Sequence, residues 1–137
     1  MSDQFEIVYS SNVIAAQYGK YWLQKAVPKL LTQKIFEIAK YMPTSGWAFY
    51  DDIRNCPVKG PEQIRFCANS AHELVDMGLT HCVVCVNGLA ISEWMMKIIV
   101  PQTVKLIFVE TPEQGFEILA KQGFETSNLD FQIKFKS

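Results

Sequence analysis

Phe5, Ile7 and Tyr9 alternate with polar or smaller residues, the period of a strand with one apolar face. Ser10-Ser11-Asn12 offers a turn, Val13–Tyr18 resumes as a second strand, and Gly19 ends it, so the chain is expected to open on a β-hairpin. From Lys20 to Met42 the apolar period becomes helical. Trp22, Leu23, Ala26, Val27, Leu30 and Leu31 recur at i, i+3 and i+4, and Ile35, Ile38 and Met42 continue the stripe. Pro28 cannot donate a helical hydrogen bond and crowds the preceding turn, so a break is expected there, with Pro28 near the start of the longer second piece. Pro43-Thr44-Ser45-Gly46 closes it.

Beyond that helix one device is used twice: a strand-like run, a turn, then a helix opening on Pro-Glu-Gln. The copies are Trp47–Asp52 followed by Pro61-Glu62-Gln63, and Val104–Glu110 followed by Pro112-Glu113-Gln114. Proline at the first helical position sacrifices an N–H that has no helical partner anyway. The glutamate behind it lies near the positive end of the helix dipole. Between the two copies, His81–Val86 reads as a buried strand stopped by Asn87-Gly88, and Leu89–Ile99 as a short helix ended by Pro101. The helix from Pro61 runs to Met77 before Gly78; the helix from Pro112 runs to Gln122 before Gly123. Strands alternating with helices predict an α/β fold with a mostly parallel sheet, an N-terminal hairpin and about four helices.

The tail alternates again. Leu129, Phe131, Ile133 and Phe135 share one face, and Asp130, Gln132, Lys134 and Lys136 the other, which predicts an amphipathic strand over 128–136. Its apolar face needs cover. Pairing on the chain's own sheet edge would provide it, and so would pairing with a second subunit, which would make a homodimer.

The length of 137 residues suits a single domain with its own core. That core is expected over about 5–124, with the amphipathic strand added to it. Apolar residues at 49% and charged residues at 20% mark a globular chain. A net charge of −1, without a run of either sign, argues against a nucleic-acid partner, which calls for a basic patch. No stretch approaches the roughly 18 consecutive apolar residues of a membrane span. Met1-Ser2-Asp3-Gln4 has neither the basic nor the apolar region of a secretory signal, so a cytoplasmic location and reduced thiols are expected.

With Trp47–Asp52, Pro61-Glu62 and the closing Phe108, Thr111-Pro112-Glu113-Gln114-Gly115-Phe116 and Gln122-Gly123-Phe124, the order of elements resembles the STAS-like domains. These include the anti-sigma-factor antagonists and a set of small bacterial proteins of unassigned function. The resemblance spans about Phe5 to Phe124. It implies helices packed mainly on one side of the sheet, and regulatory protein–protein binding or small-ligand sensing in place of catalysis. The antagonists carry a phosphorylatable serine beside an aspartate at the start of the helix after the central strand. Here Asn55 to Gln63 contains no Ser or Thr, so the resemblance implies a module without the phosphoserine switch.

Candidate chemistry is sparse. Cys82 and Cys85 form a C-x-x-C, but within a strand residues three apart point to opposite faces, so two buried core thiols are expected. No second C-x-x-C or histidine pair completes a zinc set. His72 and His81 have no nucleophile placed beside them, and Cys67 and His72 are five apart, off the helical neighbour spacing. No glycine-rich phosphate loop occurs, and no cofactor or metal is called for. In open α/β sheets ligands bind beyond the carboxyl ends of the strands. Those ends offer Asp51, Asp52 and Arg54, then Asn87 and Gly88, then Glu110 and Thr111. Asp51 and Asp52 face opposite ways and cannot act as one pair. A capping role for one, with Arg54 or solvent for the other, is the plain reading. Trp22, Phe36, Trp94, Met95 and Met96 are core residues by default. Methionine also suits adaptable binding surfaces, and the Trp94–Met96 helix flanks the expected crevice, which makes it the preferred contact for a ligand or partner.

Three functions remain. A non-catalytic interaction or regulatory module, binding another protein or itself, requires a contiguous exposed apolar patch. A carrier or sensor of a small apolar ligand, held between the Trp94 helix and the sheet, requires an enclosed pocket of several hundred Å³. An enzyme with Asp51 or Asp52 as general base requires a carboxyl of raised pKa in a cleft with a second polar group in reach. The first is the expectation, with Asp51, Asp52, Arg54, Asn87, Trp94, Met95 and Glu110 as candidate contacts.

Overall fold

The computed structural model describes residues 4–19 and 27–132. Five strands and four helices follow in the order β1 (Phe5–Tyr9), β2 (Val13–Tyr18), α1 (Val27–Ala39), β3 (Trp47–Asp52), α2 (Pro61–Asp76), β4 (Leu79–Cys85), α3 (Ala90–Ile99), β5 (Lys105–Val109) and α4 (Pro112–Lys121). The sheet order is β1-β2-β3-β4-β5. β1 pairs antiparallel with β2, and every other pair is parallel. The sheet is therefore mixed, with its parallel part running from β2 to β5.

Adjacent parallel strands laid down in sequence, joined by connections of one hand, put every connecting helix on the same face. The core follows that rule. Leu31 and Ile35 of α1, Leu74 of α2, and Met95, Met96 and Ile99 of α3 pack with Ile14, Ala16, Phe49, Cys82 and Val84 on one face. α4 follows the last strand and turns back under the other face, where Leu119, Phe116 and Ile118 meet Val13, Ala15, Tyr50, Val83 and Cys85. Burial on both faces explains why β2 to β4 read as nearly continuous apolar runs.

Pro28 sits at the second position of α1, as its chemistry requires; the first piece of the expected helix, 20–26, lies outside the described residues. The two Pro-Glu-Gln openings are not equivalent. α4 carries a full capping box: Thr111 Oγ1 accepts from Gln114 N at 3.2 Å, and Gln114 Oε1 accepts from Thr111 N at 3.3 Å. α2 starts after Gly60 with no side-chain cap. Gly78 follows α2 at φ +109°, and a Cβ there would stand 2.8 Å from the Pro43 carbonyl oxygen, so both conformation and space call for glycine.

The tail departs from expectation. Residues 128–132 form no strand, and the remainder of the expected strand lies outside the described residues. The alternation is still used. Leu129 is buried and Phe131 partly buried against the α4-side core of the same chain. Backbone contacts hold this arrangement: Glu125 N donates to Asn12 Oδ1 at 2.8 Å, and Gln132 N donates to Glu6 Oε2 at 2.8 Å. The described part of the tail thus lies over the chain's own sheet.

Candidate functional site: a cleft under the three helices

Alternation along β3 sends Asp51 to the three-helix face, with Phe49 and Ile53, and Asp52 to the α4 face, with Tyr50. The two carboxylates are separated by the sheet, as the strand period requires. Asp52 is buried and takes a fork from Arg54: Nε to Oδ1 at 2.9 Å and Nη2 to Oδ2 at 2.8 Å. Arg54 N also donates to Asp52 Oδ1 at 3.3 Å, so this aspartate ties down the turn that follows its strand. The hydrogen bonds it donates to Asp52 hold the Arg54 guanidinium in its charged form.

Asp51 has a different environment. It lines a cleft of about 110 Å³, partly open to solvent, between the sheet and α1, α2 and α3. Leu31, Ile35, Phe66, Leu74, Met96 and Ile99 are among its apolar lining residues. Its polar end is built by Tyr18, Asp51 and Lys59. Tyr18 ends β2 and Asp51 lies near the end of β3; Ala16 is in register with Asp51, so Tyr18, two residues on, shares its face. Tyr18 Oη donates to Asp51 Oδ1 at 2.5 Å. Lys59, from the segment before α2, is buried at 6% exposure.

Burial pushes the Asp51 carboxyl up to about 6, against the hydrogen bond from Tyr18 and the charge of Lys59, which favour its ionised form. Burial likewise raises the Tyr18 phenol, and Asp51 raises it further. Cys67 lines the same cleft, and burial pushes its thiol up as well. Ser70 and Thr32 border the cleft, but their hydroxyls donate to the carbonyls of Phe66 and Pro28 within their own helices, at 3.0 and 2.9 Å.

The other candidates lie apart from this cleft. Asn87 is exposed, and its Oδ1 accepts from Leu89 N at 3.1 Å, a local turn contact. Glu110 is exposed beside the α4 capping box. Met95 is buried in the core, while its neighbour Met96 borders the cleft. Trp94 points away from the cleft, into solvent. Cys82 and Cys85 fall in the two separate cores on opposite faces. Among the described residues no cluster of His, Cys, Asp and Glu could hold a metal ion, and no helix is long and apolar enough to cross a membrane.

Tyr18 and Lys59 escape sequence reasoning. The pairing of Tyr18 with Asp51 needs the β2–β3 register, of which only the strand parity is visible in the chain. Lys59 sits in a loop with no pattern to mark it.

A second feature is a surface. α3 is apolar on both sides. Ser92, Met95, Met96 and Ile99 face inward. Ile91, Trp94 and Ile98 face outward at 46%, 57% and 47% exposure, with Leu89 at 53% just before the helix. A shallower groove of about 590 Å³ lies elsewhere, between the β1–β2 turn and the end of α1, beside the exposed rings of Tyr9 and Tyr41.

None of the protein-family models, curated proteins or solved structures compared with the chain matches it.

Proposed function

We propose that the protein is a non-catalytic interaction module of the STAS-like kind, docking through the outer side of α3, and that its partner there is a second copy of the same chain. The observation that carries this reading is the outward stripe of Ile91, Trp94 and Ile98. Spaced i, i+3 and i+7, these side chains form one line along the helix. A contiguous apolar line with a central tryptophan is the composition of a binding face, not of a solvated one.

The stripe is also self-complementary. Trp94 has an isoleucine on each side along the line. An antiparallel pairing about a two-fold axis would set Ile91 against the partner's Ile98 and bring Glu93 near the partner's Lys97. One ten-residue helix offers less than the roughly 800 Å² per partner of a standard interface. Micromolar or weaker association is therefore expected, unless the outer edge of β5, the last strand of the sheet among the described residues, joins in.

Two observations speak against the other uses of the cleft, thiol catalysis and carriage of a bulky apolar ligand. Asp51 is a carboxyl in a cleft beside Tyr18, but the thiol lining that cleft, Cys67, is held protonated by burial and makes a poor nucleophile. The cleft, at about 110 Å³, is also well below the several hundred Å³ that a carrier of a bulky apolar ligand needs. The test is sedimentation equilibrium from ~10 µM to ~1 mM, a range that brackets weak association. A monomer–dimer equilibrium in the wild type that Trp94→Glu abolishes, with unchanged circular dichroism, supports the reading. A wild type that stays monomeric throughout refutes self-association.

A further inference from the structure

We propose that the cleft beneath α1, α2 and α3 is a binding site for a small, neutral, single-ring molecule with a hydroxyl head, such as a phenol, its ring among the apolar side chains and its hydroxyl between Asp51 and Lys59. Three observations select this class.

The first is size. An apolar cavity of about 150 Å³ accepts benzene. The cleft measures about 110 Å³ and is open on one side, so a single ring fits with its edge toward solvent, and a fused ring system or a lipid tail does not. The second is the wall. Leu31, Ile35, Phe66 and Met96 give the ring apolar contact, and the hydroxyls of Ser70 and Thr32 are already donating to their own helices. Among the described lining residues, polar recognition is therefore confined to one end.

The third is the charge balance at that end. Asp51 and Lys59 bear opposite charges close enough for Lys59 to draw the Asp51 carboxyl toward its ionised form. A cationic head would meet Lys59 and an anionic head would meet Asp51, each a like charge in a poorly hydrated place. A hydroxyl has one hydrogen to give to the carboxylate and lone pairs to accept from the ammonium, so it satisfies both. Tyr18, already bonded to Asp51 Oδ1, fixes the carboxyl in position and acts as a positioning residue.

The experiment uses phenol and toluene as matched probes, titrated into the full chain and followed by amide and methyl NMR shifts. Phenol is expected to saturate with a dissociation constant of about 1 mM or tighter and to bind roughly tenfold tighter than toluene, the margin of one hydrogen bond to a charged group. Asp51→Asn and Lys59→Met should each shrink that margin to about threefold or less. Ala71→Phe, which fills the cleft from α2, should abolish binding of both probes. No saturable shift with phenol overturns the proposal, as does phenol binding that survives Ala71→Phe or a margin unchanged in both charge variants. Because Asp51→Asn keeps the shape of the side chain and Lys59→Met keeps its length, a fold lost in one leaves the other as the test.

Discussion

Tyr18 Oη donates to Asp51 Oδ1 across 2.5 Å, joining the ends of β2 and β3 under a roof of helices. The groups that face Asp51 are Tyr18 from β2, Lys59 from the segment before α2, Cys67 from α2 and Cys82 from β4, with Asp52 as its chain neighbour. Burial outweighs the rest and raises the folded carboxyl from an ordinary 3.8 to about 6. The sign follows from linkage. A folded pKa above the unfolded one means that the folded state holds the proton more tightly. The stability this contributes is complete below about pH 4 and is lost as pH rises through 6. The expected loss is about 1–3 kcal/mol, the upper value being the full shift and the lower one allowing for solvent at the open side of the cleft. Urea denaturation from pH 4.5 to 7.5 should show this decline in the wild type and a flatter profile in Asp51→Asn. Identical profiles would mean that Asp51 is not the titrating group.

Gly115, inside α4, lets the helix lie directly on Tyr50. A Cβ at this position would stand 2.9 Å from Tyr50 Cε1 and 3.2 Å from Val83 Cγ1. The Tyr50 ring is also held by Phe116, at 4.7 Å between centroids, so it has no room to retreat. Alanine at position 115 would gain about 1 kcal/mol of helix propensity and meet an overpacking cost of roughly 1–3 kcal/mol. Gly115→Ala is expected to be net destabilising by about 1 kcal/mol, and the sign should reverse in a Tyr50→Leu background. Additive effects of the two substitutions would refute the contact.

The elements were legible in the chain because each has a strong local cause. The Pro-Glu-Gln openings, the glycines after α2 and α4, and the period of β1 all act within a few residues, and the element bounds agree to within a residue or two from β1 to α4, apart from the earlier end of α1. Strand parity alone separates Asp51 from Asp52 and Cys82 from Cys85. What escaped is non-local. The tail's alternation predicts a buried face equally well whether Leu129 and Phe131 join a ladder or simply lie across α4's side of the sheet; the bonds that decide it, donated by the tail's backbone to Asn12 and Glu6, span more than a hundred residues. Lys59 at the polar end of the cleft is invisible for the same reason: a loop lysine carries no period. The position of the Trp94 helix beside the crevice marks it as a contact, but the stripe Trp94 belongs to emerges only from the exposure of Ile91 and Ile98 beside it.

The C-x-x-C of β4 should not form a disulfide in the folded protein. Cys82 packs with the three-helix core and Cys85 with the α4 core, so the sheet lies between their sulfurs. Bridging needs Cα atoms within about 7 Å and Cβ vectors that converge. Burial raises the Cys82 thiol and pushes Cys85 up to about 11, so neither supplies thiolate at neutral pH. Mild oxidation with diamide followed by peptide mapping is expected to give no 82–85 crosslink in native protein and to give one after denaturation. Partly buried Cys56 and Cys67 should label first with a maleimide. A native 82–85 crosslink would contradict the placement of β4.

Asp52 and Arg54 form the remaining charged pair near the sheet's carboxyl end, and their exposures are unequal: 6% for the aspartate side chain against 36% for the arginine. The arginine can return to water if its partner is removed; the aspartate cannot. Arg54→Ala is therefore expected to cost more than Asp52→Asn, roughly 2–3 kcal/mol against about 1, because it strands a buried carboxylate. Arg54→Lys keeps the charge but loses the two-pronged geometry and should fall between them. Replacing both partners, as Asp52→Asn with Arg54→Met, should cost less than the sum of the single changes, with a coupling of about 1 kcal/mol or more in a double-mutant cycle read by urea denaturation. Equal costs for the two single variants would show that Asp52 has other support, and the fork would then be a surface contact without much weight in the fold.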